Sequence, residues 1–216
     1  MSVYKPKGWT SFDVVAKLKP TLVPRPTKIG HAGTLDPLAE GVLIVLTDND
    51  TKRQAEFMAM EKEYRATIAF GVSSPTYDLE GPLTFFEPKM RVEELQQKLQ
   101  EVIPSFIGTI NQQVPAYSAV KVQGQRLYKV ARRGDPASLP SREVSIHSIT
   151  VDKFDSITIE GAAFPTINLT IKCGKGTYIR SLASDLGQAV GVPAVLTNLV
   201  RTRVGDFDIS NSMNAK

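Results

Sequence analysis

Apolar residues recur at helical spacing in two clear stretches of the chain. Over 91–103 they fall three or four positions apart, with charged and amide side chains between them. A similar stripe runs through 179–190 and is followed by Gly191, a residue suited to ending a helix. The spacing therefore predicts helices over both stretches, and weaker patterns predict shorter helices over 11–18 and 51–59.

Strand patterns lie between these helices. Apolar and polar residues alternate over 166–173, which predicts a strand with Cys173 on its buried face. Further strands are predicted over 42–46, 64–70 and 143–151, and the first of these is apolar on both faces, as in the centre of a sheet. Hairpin-like and crossover-like spacings both occur between the strands, so we expect a mixed sheet packed with helices.

Two segments, 24–41 and 111–142, fit neither pattern, and long irregular segments in a compact domain are often functional loops. The first contains the run KIGHAGTLDPLAEG, in which Asp36 precedes Pro37. A residue before proline is biased towards an extended backbone, so we expect the Asp36 side chain to project from a loop. A single loop aspartate is most often a turn or cap residue, so its position alone does not make it catalytic.

Composition restricts the class of protein. The 216 residues are 42% hydrophobic and 22% charged, as in one ordinary globular domain. No stretch approaches the roughly 20 apolar residues that cross a bilayer, and the N-terminus lacks the apolar core of a signal peptide, so a cytoplasmic protein without a membrane partner is expected. With one cysteine and two histidines, neither a disulfide nor a conventional zinc site is expected.

Charge is distributed unevenly along the chain. The formal net charge is +4, but the segment 117–142 alone contains six cations against the single acid Asp135, a net charge of +5 that leaves −1 for the rest. This local excess is what a phosphate-binding surface requires. A solvated loop with a chance charge run is the alternative interpretation.

Seven segments, in order, resemble the motifs of the TruB-type tRNA pseudouridine synthases. They run from Tyr4 to Phe207 and read YKPKGWTSFDVV (4–15), KIGHAGTLDPLAEG (28–41), EKEYRATIAFGVSSPTYDLEG (61–81), QQVPAYSAVKVQGQRLYKVARRG (112–134), PSREVSI (140–146), CGKGTYIRSLASDLG (173–187) and LTNLVRTRVGDF (196–207). Each motif alone is weakly specific, whereas seven with compatible spacing indicate membership of the family.

The resemblance implies an α+β fold of the pseudouridine-synthase type, with a mixed, mainly antiparallel sheet flanked by helices and RNA-binding loops. It implies a catalytic domain over 1–207 in which about 111–142 forms an RNA-gripping insertion loop. Residues 208–216 are then a short tail, without the C-terminal RNA-binding module of many family members. Recognition is accordingly expected to rest on the T arm of tRNA alone.

The resemblance also implies the chemistry: uridine at position 55 in the tRNA T loop is isomerised to pseudouridine by base flipping, without a cofactor. Asp36 is the catalytic carboxylate by this resemblance, and Arg180 pairs with it, holding it in place and favouring its charged form. Tyr64 matches the family tyrosine that stacks on the target base and is implicated in proton removal at C5. A core tyrosine in a strand is the alternative for Tyr64.

Further residues match the family's RNA contacts. His31 corresponds to the residue that enters the RNA as the base leaves, although a histidine that caps the glycine turn is the alternative. Tyr178 and Leu199 are expected to shape the pocket, or to be core residues, and Lys5 to contact either RNA or backbone carbonyls. The cations expected to bind phosphates lie in the insertion loop: Lys121, Arg126, Lys129, Arg132 and Arg133.

Two other functions remain open from the sequence. One is a pseudouridine synthase for another RNA, including guide-RNA-dependent relatives, which normally carry the C-terminal module. The other is a non-catalytic RNA-folding factor that binds T arms, against which the set Asp36, Tyr64 and Arg180 argues. The partner expected in each case is RNA, with tRNA preferred; no protein partner is implied and a monomer is expected.

Overall fold

The computed structural model of the protein describes residues 1–87, 91–134 and 138–215. The α-helices in these residues span Ser11–Leu18 (α1), Gln54–Ala59 (α2), Val92–Val102 (α3), Leu127–Arg132 (α4) and Ile179–Val190 (α5). The strands are Ser2–Lys5 (β1), Ile29–Ala32 (β2), Glu40–Thr47 (β3), Lys62–Phe70 (β4), Val72–Ser73 (β5), Thr84–Phe85 (β6), Gly108–Gln113 (β7), Lys121–Val122 (β8), Gln125–Arg126 (β9), Ser141–Ile159 (β10), Ala162–Cys173 (β11), Ala194–Val204 (β12), Phe207–Asp208 (β13) and Met213–Asn214 (β14). Within this part of the chain, no helix is long and apolar enough to cross a membrane.

Ten strands form one large sheet. Its order is β14-β1-β3-β12-β4-β11-β10-β7, with β2 paired to β3 and β13 paired to β12. The pairs β1–β14 and β3–β12 are parallel, and the other pairs within this sheet are antiparallel. The prediction of a mixed, mainly antiparallel sheet flanked by helices is therefore confirmed.

The main core lies between this sheet and helices α3 and α5. The predicted apolar stripe of α5 is buried along its whole length, and Leu95 and Leu99 of α3 belong to the same cluster. Helix α5 ends where expected, because Gly191 adopts the left-handed conformation (φ 78°) that a helix C-terminus favours. Cys173 is fully buried, as predicted. Val92 departs from the predicted stripe of α3, since it begins the helix and is 47% exposed.

Three predictions of local structure need correction. The segment 24–41 is not wholly irregular, because β2 pairs antiparallel with β3. The segment 111–142 contains the hairpin β8–β9 and helix α4. The helix predicted over 51–59 starts instead as a 3-10 helix, Asp48–Arg53, which continues into α2. These short elements depend on partners elsewhere in the chain, and they are too short to show a period of their own.

The segment predicted as a tail, 208–216, extends the main sheet. Strand β14 pairs in parallel with β1, and Ala215 is buried in a cluster with Val3 and Val14. The N-terminal strand thus lies between β14 and β3. Residue Lys216 lies outside the described residues.

Gly41 controls the contact between β3 and β12. Its φ is +106°, and a Cβ atom placed there would lie 2.2 Å from the carbonyl oxygen of Arg201. Gly41 and Arg201 are register partners in the parallel pair. Only glycine allows this approach, and it determines how the loop that precedes β3 meets the centre of the sheet.

We expect Gly41→Ala to destabilise the fold by about 2–5 kcal/mol, because it combines a left-handed backbone with steric overlap in the sheet. Thermal unfolding should show a Tm lowered by roughly 10 °C. The matched control is Gly161→Ala, since Gly161 has φ +84° but open space around its Cα. That variant should lose only about 1 kcal/mol. Equal Tm values for the two variants would contradict the role of the close contact.

Candidate active site

Asp36 lies on the loop between β2 and β3, and hydrogen bonds fix the backbone on both sides of it. The hydroxyl of Ser11, at the start of α1, accepts from the Leu35 N–H (2.9 Å) and donates to the Leu35 carbonyl (3.1 Å). The N–H of Gly8 donates to the Pro37 carbonyl (2.8 Å). The Asp36 side chain remains 38% exposed. The loop therefore presents a well-anchored carboxylate to solvent.

Arg180 lies in the first turn of α5 and is 5% exposed. Its guanidinium donates from Nε to Asp36 Oδ2 (2.9 Å), from Nη1 to the Thr76 carbonyl (2.8 Å) and from Nη2 to the Tyr117 carbonyl (3.0 Å). Residues 144 positions apart thus form the pair that the resemblance implied. With its donors bonded in three directions, the guanidinium fixes the orientation of the Asp36 carboxylate.

A second carboxylate, Asp78, also faces Arg180, with Oδ2 3.5 Å from Nε. Asp78 is 1% exposed, and its Oδ1 accepts from the Thr76 hydroxyl (2.5 Å) and the Glu80 N–H (3.0 Å). Buried charges persist in proteins when they are paired and hydrogen-bonded, and Arg180 and Asp78 satisfy each other. Sequence reasoning missed Asp78, although it lies in the third quoted motif, because nothing in its local pattern distinguishes it from a turn aspartate.

Tyr64 lies on β4, with Arg201 opposite it on β12. Burial raises the pKa of the Tyr64 phenol, the positive charge of Arg201 opposes this, and the charge of Asp36 contributes in the same direction as burial. The phenol is therefore neutral at physiological pH. Leu199, which is 6% exposed, belongs to the main core cluster, against which Tyr64 packs. Both residues therefore contribute to the core on this side of the sheet.

His31 lies on β2, where it pairs with Val45, so it is not the cap of the glycine turn. Its side chain is partly buried, and within the described part of the chain its Nδ1 has no hydrogen-bond partner. Burial lowers the pKa of His31, and the nearby charge of Arg201 lowers it further. The imidazole is therefore neutral at physiological pH, and it has an unused hydrogen-bonding atom.

Lys5 is fully buried, and its Nζ donates to the backbone carbonyls of Pro6 and Trp9. Burial lowers the pKa of Lys5 to about 8, while the charges of Asp36, Glu80 and other carboxylates oppose the shift. Of the two roles that the sequence left open, the contact to backbone carbonyls is the one present. A side chain with no exposed surface offers RNA no direct contact in this conformation.

A second buried arginine, Arg201, was not singled out from the sequence. It is 2% exposed, and its guanidinium donates to the carbonyls of Val42 (2.7 Å) and Gly33 (3.0 Å). These carbonyls lie on either side of the loop that carries Asp36. Arg201 therefore ties the two ends of that loop to β12. Its neighbour Leu199 was identified from the same motif, but an arginine in a strand carries no local sign of being buried.

Tyr178 immediately precedes α5 at its N-cap position. The guanidinium of Arg142 lies over its ring, 5.3 Å from the centroid. Such a contact is favourable because the face of an aromatic ring attracts a cation. Arg142 thus restrains the ring of Tyr178, which lies two positions before Arg180 in the sequence. This position is consistent with a role of Tyr178 in shaping the pocket.

The cations expected to bind phosphates lie on β8, β9, α4 and the residue after α4. All five are exposed: Lys121, Arg126, Lys129, Arg132 and Arg133. The first two are register partners in the hairpin, and the guanidinium of Arg132 lies 5.6 Å from the ring centroid of Tyr128. Arg133 donates to the side chain of Gln125 (2.6 Å). Asp135, the acid of this segment, lies in 135–137, outside the described residues.

A second basic segment was overlooked in the charge count. Residues 1–28 also contain six cations and a single acid, Asp13, so they carry the same net charge as 117–142. Asp13 completes a capping box with Thr10 at the start of α1. The exposed cations of this segment are Lys7, Lys17, Arg25 and Lys28. Outside 1–28 and 117–142 the chain therefore has a net charge of −6, and the two basic segments lie on either side of Asp36 in sequence.

Among the residues that the structure describes, no three histidine, cysteine, aspartate or glutamate side chains lie close enough together to hold a metal ion. The residues that meet at Asp36 instead form an ion-pair network between one guanidinium and two carboxylates.

Solved structures share this fold. A chain in the structure described as a Cbf5-Nop10-Gar1 complex is 28% identical, with a TM-score of 0.65, over 99% of this chain and 51% of that chain. A chain in the structure of an H/ACA RNP bound to a substrate RNA containing 2'-deoxyuridine is 26% identical, with a TM-score of 0.64, over 99% and 50%. The chain thus spans about half the length of these solved chains.

Curated relatives are more similar in sequence. The tRNA pseudouridine synthase B of Flavobacterium johnsoniae is 40% identical over 97% of this chain and 90% of its own length. The protein of the same name from Thermobifida fusca is 42% identical over 97% of this chain and 70% of its length. The model of the TruB family pseudouridylate synthase N-terminal domain matches residues 21–179. The chain therefore belongs to the TruB family of pseudouridylate synthases, which are isomerases.

Proposed function

We propose that this chain isomerises uridine to pseudouridine at position 55 in the T loop of tRNA, with Asp36 as the catalytic carboxylate. The observation that carries the proposal is the 2.9 Å ion pair between the partly exposed Asp36 and the buried Arg180. The names of the curated relatives support tRNA as the substrate. The buried part of the network is rigid and the reactive carboxylate is accessible, as nucleotide chemistry requires.

The reaction redistributes bonds within one nucleotide. The bond from the ribose C1' to N1 of uracil breaks, the base turns, and C1' bonds to C5; the C5 proton is lost and N1 gains one. Substrate and product have the same composition, so the reaction needs no oxidant, reductant or cofactor. Asp36 starts the reaction by attack on the nucleotide or by removal of a proton from it, and both require the ionised carboxylate.

Tyr64 and His31 fit roles that use neutral rings. Burial raises the pKa of the Tyr64 phenol, so at physiological pH it offers the flipped uracil a ring face and no negative charge. His31 has a neutral ring, which suits a side chain that replaces a flipped base; its Nδ1 is buried without a partner among the described residues, so that atom would reach RNA only after the side chain moves. Leu199 and Tyr178 form the apolar boundary of the pocket in this proposal.

The surface that binds the RNA phosphates is proposed to lie outside the pocket. In this proposal the catalytic domain runs from residue 1 through β14, since that strand pairs with β1, and 111–142 is the insertion loop whose cations contact phosphates. The exposed cations of 1–28 supply a second set of contacts, since α1 is bonded to the Asp36 loop through Ser11. Phosphate contacts position the RNA, and the shape of the T arm determines which RNA is bound.

Two other functions are weighed against this one. A synthase for another RNA is favoured by the similarity to chains of H/ACA complexes, but at 26–28% identity it is weaker than the match to the tRNA enzymes. A non-catalytic folding factor would gain nothing from burying Arg180 and Asp78 beside an accessible carboxylate. We therefore propose a tRNA enzyme that acts alone in the cytoplasm.

Asp36→Asn tests the catalytic carboxylate. It should abolish pseudouridine formation in a T-arm hairpin, because an amide neither attacks nor removes a proton, while the Kd for the hairpin stays within about threefold. Chemical mapping of pseudouridine at position 55 and a binding titration check this. Asp206→Asn, at an exposed aspartate outside the site, is the control and should be fully active.

Two results would contradict the proposal in different ways. Normal activity of Asp36→Asn would exclude the catalytic role of this carboxylate. An unmodified hairpin despite tight binding by the wild-type protein would favour the folding factor.

A double variant tests whether the insertion loop contacts phosphates. Replacement of both Arg132 and Arg133 by alanine should weaken binding and reduce the steepness of log Kd against log salt by about 1–2, because fewer counterions are released. The control, matched in charge, replaces Lys98 and Lys153 by alanine, since both lie outside the two basic segments. Titrations at several salt concentrations check this. Equal slopes for the two double variants would show that the loop does not contact phosphates.

A further inference from the structure

Gln112, at the end of β7, is 1% exposed and forms a double hydrogen bond with the backbone of Tyr178. Its side-chain oxygen accepts from the Tyr178 N–H (2.8 Å), and its side-chain nitrogen donates to the Tyr178 carbonyl (3.0 Å). The two residues are 66 positions apart. A carboxamide that both donates to and accepts from one residue fixes that residue's position and its backbone orientation.

Tyr178 lies at the start of α5, the helix that carries Arg180. Tyr178 is the N-cap residue of α5, but its side chain makes no capping hydrogen bond. Gln113 follows Gln112 on β7, and its carbonyl accepts from the hydroxyl of Ser181 (2.9 Å). Consecutive residues of β7 therefore hold the residues on both sides of Arg180. The position of its guanidinium against Asp36 depends on these contacts.

The same strands form the base of the insertion loop. Gln112 on β7 and Arg142 on β10 are register partners, so they lie opposite each other where the loop leaves and rejoins the sheet. Gln112 binds the backbone of Tyr178 while Arg142 lies over its ring. Within the loop, the Tyr117 carbonyl accepts directly from Arg180. The segment proposed to grip RNA and the start of α5 are thus one connected unit.

We propose that Gln112 is a positioning residue for the isomerisation: its carboxamide fixes Tyr178 and thereby aligns Arg180 with Asp36. A purely structural role would satisfy a buried polar group and affect stability alone. The positioning role affects the rate of the chemical step, because a displacement of about 1 Å at a reacting group can cost about 100-fold in rate. This inference rests on the proposed function, from which the roles of Asp36 and Arg180 are taken.

Gln112→Glu tests the double hydrogen bond. An ionised carboxylate still accepts from the Tyr178 N–H but cannot donate to its carbonyl, whereas the protonated acid does both, as the amide does. We expect kcat on a T-arm hairpin to fall about 10- to 100-fold at pH about 8, with KM within about threefold. As the pH is lowered to about 6, the kcat of the variant relative to wild type should rise, because burial raises the pKa of the new carboxyl.

Two further variants complete the experiment. Gln112→Met keeps the approximate shape without hydrogen bonds and should lose kcat at every pH, without recovery at low pH. Gln188→Glu places the same charge on the exposed, C-terminal part of α5 and should behave as wild type. Thermal unfolding at each pH establishes that kcat is measured on folded protein.

The results separate the inference from the function on which it rests. Activity of wild type with unchanged kcat for both Gln112 variants would overturn the positioning role. Failure of both variants to fold, or a loss in KM alone, would make Gln112 a structural or RNA-binding residue and would also overturn it. An inactive wild-type protein would contradict the proposed function itself.

Discussion

The guanidinium of Arg180 is the interaction on which the site depends. It is almost fully buried, and a buried cation is tolerated only when its charge and its donors are satisfied. Here the partners come from separate parts of the chain: Asp36, the Thr76–Asp78 segment and Tyr117. The fold must bring these segments together for the charge to be paired. The loop that carries Asp36, the motif after β4 and the base of the insertion loop are therefore all bound to one guanidinium.

Arg201 supplies a second buried guanidinium, which binds both ends of the loop that carries Asp36. Arg201 binds the carbonyls of Gly33 and Val42, so it closes the loop that Arg180 orients. Its charge also acts on the neighbouring rings, since it lowers the pKa of His31 and opposes the rise in the pKa of Tyr64. Arg180 thus pairs with the accessible carboxylate, and Arg201 holds the two ends of the loop that carries it.

The proposed chemistry and the proposed RNA attachment involve cations that differ in burial. The arginines of the site are buried and fixed by several hydrogen bonds, whereas those of the segment 121–133 are exposed, as phosphate contact requires. The exposed cations of 1–28 add a second basic surface, tied through Ser11 to the loop that carries Asp36. Separation of the two kinds lets the pocket stay rigid while exposed side chains adjust to the RNA.

The long elements, such as α5 and β11, could be predicted from the sequence because their apolar periods persist over many residues. The ordered motifs indicated the family, which is confirmed, and they singled out Asp36, Arg180 and Tyr64 as the proposed site. Three findings came from the tertiary structure: Asp78, Arg201 and Gln112 are buried, 213–214 is a sheet strand, and Lys5 binds backbone carbonyls. Each of these depends on partners far away in the chain, and local spacing carries no information about which distant group will satisfy a buried polar atom.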